Sequence, residues 1–220
     1  MLRALLFDLD GVLIDSLASI RSSMNHALAR LGRPQLSPEA ARPLIGPPLA
    51  ESVPVLLETD DAARIDHFIT IYREHYQVHA AATSTAMPGL REVLGRLHGR
   101  WPLAVATAKP ELYARPILEG LGVADRFAAI CGGSLDHHRD TKATIIGRAL
   151  AALDLDGGAD VVMIGDRSYD VRGAAEHGIP TIGAAYGMGG EEELREAGAR
   201  WLIRGLAELP ALVERLDAAP

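Results

Sequence analysis

Lysine is almost missing from this chain of 220 residues. Lys109 and Lys142 are the two lysines among 22 basic residues, and all the rest are arginine. Cysteine is scarcer still. Cys131 stands alone, so neither an intramolecular disulfide nor a cysteine-based zinc site can form. Its Ala-Ala-Ile-Cys-Gly-Gly setting reads as an inert thiol at a buried strand end. No apolar run approaches the roughly 18 residues of a membrane span. The apolar stretch after Met1-Leu2-Arg3 is interrupted by Asp8, too early for a secretion signal, so a cytoplasmic protein is expected. An excess of positive charge is also lacking. The 22 basic residues face 29 acidic ones, a net charge of −7, which argues against a nucleic-acid binder. Neither a repeat nor a low-complexity tract breaks the chain.

What is present is a series of short aliphatic runs, each ending in turn or polar residues: Ala4–Leu9, Leu103–Thr107, Ala128–Cys131, Val161–Ile164, Thr181–Ala184 and Trp201–Ile203. Such runs fit strands buried on both faces of a parallel sheet. Helical spacing of apolar residues marks Arg91–Leu97, Glu111–Leu121, Lys142–Leu153, Tyr169–Glu176 and Glu191–Ala197. Strand and helix in alternation imply right-handed βαβ units and a doubly wound α/β fold. One segment departs from the alternation. Between Ser16 and Ala86 no convincing strand appears, whereas Ser16–Leu31, Leu49–Leu57 and Ala62–Ala80 read as helices. The expected organisation is a sheet domain from 1–15 and 85–220 with a helical domain from 16–84 inserted into it. Linkers are expected near Ile14–Ser16 and Ser84–Gly89. Ligands of open α/β sheets bind beyond the carboxyl ends of the strands, where this insertion would lie.

The polar residues of interest sit at strand exits. The first strand runs into Asp8-Leu9-Asp10-Gly11, two acids at i and i+2 that extended backbone would aim to one side. A strand-end turn built on Asp10-Gly11 is one reading. A site for a hard cation such as Mg²⁺ is the other, because like charges so close repel unless bridged. A second strand, Val161–Ile164, runs into Gly165-Asp166-Arg167-Ser168-Tyr169-Asp170. Asp170 would lie in the first turn of the next helix, where the dipole also favours an acid. Parallel strands open on one edge, so the four carboxylates Asp8, Asp10, Asp166 and Asp170 are expected to converge. Thr107 at a third strand exit, with Ala108 and Lys109, offers a hydroxyl and backbone N–H groups to an anion. Lys142 begins a helix, an unfavourable place for a cation unless carboxylates and a phosphate compensate it.

Taken in order, Asp-x-Asp-Gly, a strand-end Thr, a Lys and Gly-Asp-x-x-x-Asp resemble the haloacid dehalogenase-like superfamily over the whole chain. The insert resembles its C1-type helical cap. Ala4–Ser16, Met87–Lys109, Ile164–Tyr186 and the Ile45-Gly46-Pro47-Pro48-Leu49 loop are most similar to the phosphoglycolate phosphatase-like branch. The resemblance implies a phosphomonoesterase acting on a small phosphate ester, phosphoglycolate first among them, with Asp8 as nucleophile and Asp10 as acid and base. It implies Mg²⁺ held by Asp8, the Asp10 backbone carbonyl and Asp166, with Asp170 in support. Thr107 and Lys142 would hold phosphate oxygens, with Gly11, Ala108 and Lys109 beside them and Lys109 at the rim. Arg42 and Gly46 of the insert, with Arg73 or His75, would reach the leaving group.

Asp10 argues against a dehalogenase, which typically lacks that residue, and the lysine-free insert argues against Schiff-base phosphonatase chemistry. A β-phosphoglucomutase-like mutase, a 5′-nucleotidase-like enzyme and a catalytically silent binding protein of this fold stay open. His137-His138 reads as a surface loop, and nothing in the pattern calls for a nucleic-acid, membrane or oligomeric partner.

Overall fold

The apolar runs become strands because both faces of the sheet are covered. In a computed structural model that describes residues 1–47, 49–135 and 140–218, β1 (Ala4–Phe7) leads into a two-residue strand, β2 (Ile14–Asp15). Helices α1 (Leu17–Arg30), α2 (Pro38–Ala41), α3 (Leu49–Leu57) and α4 (Ala62–Thr83) follow. The chain returns through β3 (Thr85–Ala86) to α5 (Leu90–Leu97), β4 (Leu103–Pro110), α6 (Glu111–Gly120) and β5 (Ala129–Gly133). It then runs through α7 (Lys142–Ala152), β6 (Val161–Gly165), α8 (Ser168–Ala175), β7 (Thr181–Ala184), α9 (Gly190–Ala197), β8 (Trp201–Ile203) and α10 (Leu209–Asp217). The main sheet has the order β5-β4-β1-β6-β7-β8, with every neighbouring pair parallel.

Side-chain alternation divides the core in two. Leu5, Phe7, Val105, Val162 and Ile164 join the larger cluster, which continues into the inserted helices. Ala4, Leu6, Ala104, Ala106, Val161 and Met163 face the other way, onto Ile145, Ile146 and Ala149 of α7. Cys131, on β5, is partly buried, and burial pushes its thiol up.

In the insertion, α1 buries Ile20, Met24, Ala27 and Leu28 along one stripe. It packs along α4, whose Phe68, Tyr72, Tyr76 and Ala80 recur every fourth residue and are all buried. Asp61 caps α4 by accepting from the N–H groups of Ala63 and Arg64 at 3.0 and 3.3 Å.

Three features differ from the sequence expectations. First, Thr85–Ala86 is a strand: β2 and β3 pair antiparallel, Ile14 with Ala86 and Asp15 with Thr85, tying together the two crossings into the insertion. Two residues carry no period, which is why the pair escapes a pattern search. Second, α10 buries Leu209, Leu212 and Val213 and packs on α5. Third, the chain leaves extended backbone after Phe7, and Leu9–Ile14 forms a turn closed by hydrogen bonds from the Leu13 and Ile14 N–H groups to the Leu9 carbonyl. Asp8 and Asp10 therefore do not share one strand face. No described helix is long and apolar enough to cross a membrane.

Candidate active site

The central strands β4, β1 and β6 end side by side, on the edge where the sheet order reverses. Each brings one polar residue to this edge: Asp8 directly after β1, Asp166 directly after β6, and Thr107 within β4, where its pairing with β5 becomes irregular before Pro110. Lys142 enters from the first turn of α7. Its Nζ lies 2.7 Å from Asp8 Oδ1 and 2.6 Å from Asp170 Oδ1. These are the anions that a lysine at a helix N-terminus requires. Burial alone would lower the Lys142 pKa, but Asp170 and Asp8 more than offset it and hold the ammonium above its ordinary value.

Asp170 serves two purposes with its two oxygens. Oδ2 accepts from the backbone N–H groups of Asp166 and Arg167 at 3.0 Å each, fixing the start of α8, while Oδ1 pairs with Lys142. Two glycines make the approach possible. A Cβ on Gly165 would lie 2.2 Å from Asp170 Cβ, and one on Gly11, which has a φ of +81°, would lie 2.0 Å from Asp166 Oδ2. Gly11 thus lies against Asp166.

Asp8, Asp166 and Asp170 each offer an oxygen within 4.8 Å of the others, and all three are buried. Asp166 Oδ1 has no hydrogen-bond partner among the described residues. Burial, then the Asp170 and Asp8 charges, push the Asp166 carboxyl well above the usual carboxylate range in the metal-free protein. A compact all-oxygen set with a buried, unpartnered carboxylate atom fits a hard divalent cation.

The Asp10 side chain does not join this cluster, a correction to the expected convergence of four carboxylates. The turn at Leu9–Ile14 sends it instead toward Lys109, whose Nζ is 3.0 Å from Asp10 Oδ1. Lys109 is not at a rim: its side chain is 4% exposed, and Nζ also donates to the Tyr76 hydroxyl of α4. Thr107 Oγ1 accepts from the Lys109 backbone N–H at 3.2 Å, which leaves the hydroxyl proton for another acceptor. Ala108 lines the cleft together with Thr107 and Lys109.

Of the insertion residues, Gly46 and Arg73 line the cleft. Arg42 is exposed and lies outside its lining. His75 points away, its Nδ1 2.9 Å from Ser23 Oγ and its ring stacked on His26. Pro48 and His137-His138 lie outside the described residues. Sequence reasoning missed Tyr72 and Tyr76, which reach the cleft from α4, and Arg167. The Arg167 guanidinium donates to the Ile45 carbonyl in the insertion, and its Nε lies 3.0 Å from Glu193 Oε1 in α9. Its position directly after Asp166, between the two acids of one motif, was the available signal.

Comparison with known proteins gives the family. Residues 5–184 match the model of the haloacid dehalogenase-like hydrolase family. The chain is 38% identical over 185 residues to the tyrosine-protein kinase PtkA of Mycobacterium tuberculosis, covering 84% of this chain; it spans 62% of the length of that kinase. It is 37% identical to a 5′-nucleotidase of Pseudomonas aeruginosa, covering 96% of this chain and 95% of the relative. It is 30% identical to a phosphoglycolate phosphatase of Chromobacterium violaceum, covering 97% of both. A crystal structure of a predicted phosphatase from Clostridium acetobutylicum superposes with a TM-score of 0.92 at 33% identity, over 98% of this chain and 99% of the other.

Proposed function

We propose that this chain, which belongs to the haloacid dehalogenase-like hydrolase family and is a phosphatase, hydrolyses a small phosphate monoester with Mg²⁺ through a phospho-aspartate on Asp8. The observation that carries the reading is the buried cluster in which Lys142 contacts Asp8 and Asp170 while Asp166 keeps an oxygen without a partner. Mg²⁺ would be held by Asp8, Asp166 and Asp170, with the Asp10 backbone carbonyl. Bound there, it would offset the negative charge that otherwise repels a phosphate from a carboxylate nucleophile.

An Asp8 oxygen attacks phosphorus, and the bond from phosphorus to the ester oxygen breaks. Asp10 gives its proton to the departing alcohol. It then takes a proton from a water that attacks the phospho-aspartate, releasing inorganic phosphate and restoring the Asp8 carboxylate. Thr107 donates its hydroxyl proton to a phosphate oxygen, and Lys142 neutralises charge beside Asp8. The contribution of these residues is positioning and electrostatics rather than new covalent chemistry. Lys109 pairs with Asp10 and keeps it aimed at the cleft.

Residues 1–15 and 85–220 would form the catalytic domain, and 16–84 a cap that covers the strand exits. Phosphoglycolate and nucleoside monophosphates both belong on an assay panel, since relatives carry both names. The first test is turnover of p-nitrophenyl phosphate with and without Mg²⁺, and its inhibition by beryllium fluoride or vanadate. Metal-dependent turnover with inhibition is expected. Metal-independent turnover, or none, would refute the reading.

A further inference from the structure

The cleft beyond Asp10 is walled differently from the part that faces Asp8. It is a small cleft, about 80 Å³ of enclosed space, that opens to solvent on one side. Its far wall is built by Ile20 and Met24 of α1, Leu49 of α3, Tyr72 and Tyr76 of α4, and Tyr113 of α6. The Tyr72 and Tyr76 rings are 5.4 Å apart and nearly parallel at 13°, and Tyr113 meets Tyr76 edge-on at 75°. The phenols are neutral: burial pushes the Tyr72 and Tyr76 hydroxyls above their ordinary values.

The cations of this wall are already engaged. Lys109 Nζ pairs with Asp10 and donates to Tyr76. The Arg73 guanidinium donates to the Leu135 carbonyl at 2.6 Å. Arg42 is exposed elsewhere. A substrate with a second anionic group would have to compete with Asp10 for Lys109, or with the existing partners of Arg73, and lose its own water against an apolar wall. A flat uncharged group would instead meet aromatic faces and aliphatic side chains, the surroundings in which ring burial is most favourable.

We propose that the substrate is the phosphate ester of an alcohol bearing a planar, uncharged ring, which seats against Ile20 of α1, Leu49 of α3 and Tyr72 of α4. This inference rests on the phosphatase reading above and narrows its substrate class.

The test compares three esters of primary alcohols, so that the departing groups are chemically alike: benzyl phosphate, ethyl phosphate and 2-phosphoglycolate. With Mg²⁺ present, kcat/KM for benzyl phosphate is expected to exceed each of the others by at least about tenfold. Ile20→Ala is expected to lower the ratio of benzyl to ethyl phosphate kcat/KM by about fivefold, mostly through KM. Leu49→Ala should lower the same ratio should the first variant fold poorly. Equal kcat/KM for all three esters, or a preference for 2-phosphoglycolate, overturns the ring-binding wall and leaves the phosphatase reading standing. Hydrolysis of none of them, nor of p-nitrophenyl phosphate, overturns both.

Discussion

The two walls of the cleft face each other with opposite chemistry. On the core side, three buried carboxylates offer oxygens within 4.8 Å of one another and Lys142 contacts two of them, all supplied by strand exits and helix starts. On the side of the inserted helices, the wall is largely aromatic and aliphatic, and the Tyr76 hydroxyl on Lys109 links it to the core beside Arg73 on the Leu135 carbonyl and Arg167 on the Ile45 carbonyl. The core wall suits what every phosphate monoester shares, a dianion at phosphorus. The other wall suits what differs between esters. The arrangement lets chemistry and selectivity be altered separately, and four experiments test how far that separation holds.

The largest effect is expected for Asp8→Asn, which removes the proposed nucleophile while keeping its shape. Turnover should fall by about three orders of magnitude or more with every ester, as measured by phosphate release. Circular dichroism and melting temperature should show an intact fold. Residual activity near wild type would place the nucleophile elsewhere.

Next comes Lys142→Arg. The ammonium is a compact donor seated between Asp8 and Asp170, and a planar guanidinium needs more room. A loss of about ten- to a hundredfold in kcat is expected despite the retained charge. An unchanged kcat would show that charge alone suffices on the core wall.

Asp166→Asn separates stability from activity. The Asp166 carboxyl is raised in the metal-free fold, by burial first and then by Asp170 and Asp8. The folded chain therefore holds that proton more tightly than the unfolded chain does. The stabilisation this confers is complete below the ordinary carboxylate range and is lost as pH rises through the raised value. At neutral pH without metal the charged cluster is a liability. Asp166→Asn should accordingly raise the melting temperature in a chelator by about 2–4 °C for each kcal/mol recovered. It should also abolish the rise on adding Mg²⁺ that is expected of the wild type. Scanning calorimetry with and without Mg²⁺ reads both; a variant that still gains stability from Mg²⁺ would remove Asp166 from the proposed metal site.

The smallest effect is expected from Tyr76→Phe, which cuts one polar link between the walls. Losing one hydrogen bond to a buried ammonium should cost about 1–3 kcal/mol, a drop of several degrees. Because the ring remains, kcat should change by less than about tenfold. A fall comparable to that of Lys142→Arg would mean that the insertion acts directly on the chemistry.

How well the two walls could be read from sequence differs for a physical reason. The strands, the parallel sheet and the acids at Asp8, Asp166 and Asp170 were visible because each rests on a local event, an apolar run stopping at a polar residue. Parallel strands then place those stops on one edge without further information. Lys142 was visible for the same reason, as a cation at a helix start that demanded anions. A strand-end turn at Asp10-Gly11 was one reading of the sequence, but the sequence did not show that this turn sends the Asp10 side chain out of the acidic cluster and toward Lys109. Tyr72 and Tyr76 looked like ordinary stripe residues of a buried helix face. Nothing in the spacing of α4 says which part of that face meets α1 and which part meets the cleft.

Charge placement was therefore decided locally. The sequence by itself determined a parallel α/β sheet, a helical insertion after the first strand, and polar residues waiting at the exits. It also held two lysines in a chain that otherwise uses arginine. Only the tertiary structure decided that both are buried, one against Asp8 and Asp170 and the other against Asp10 and Tyr76. The partners lie as far as 134 residues apart in the chain. Contacts across that separation depend on how helices pack on a sheet, and no local periodicity encodes that packing.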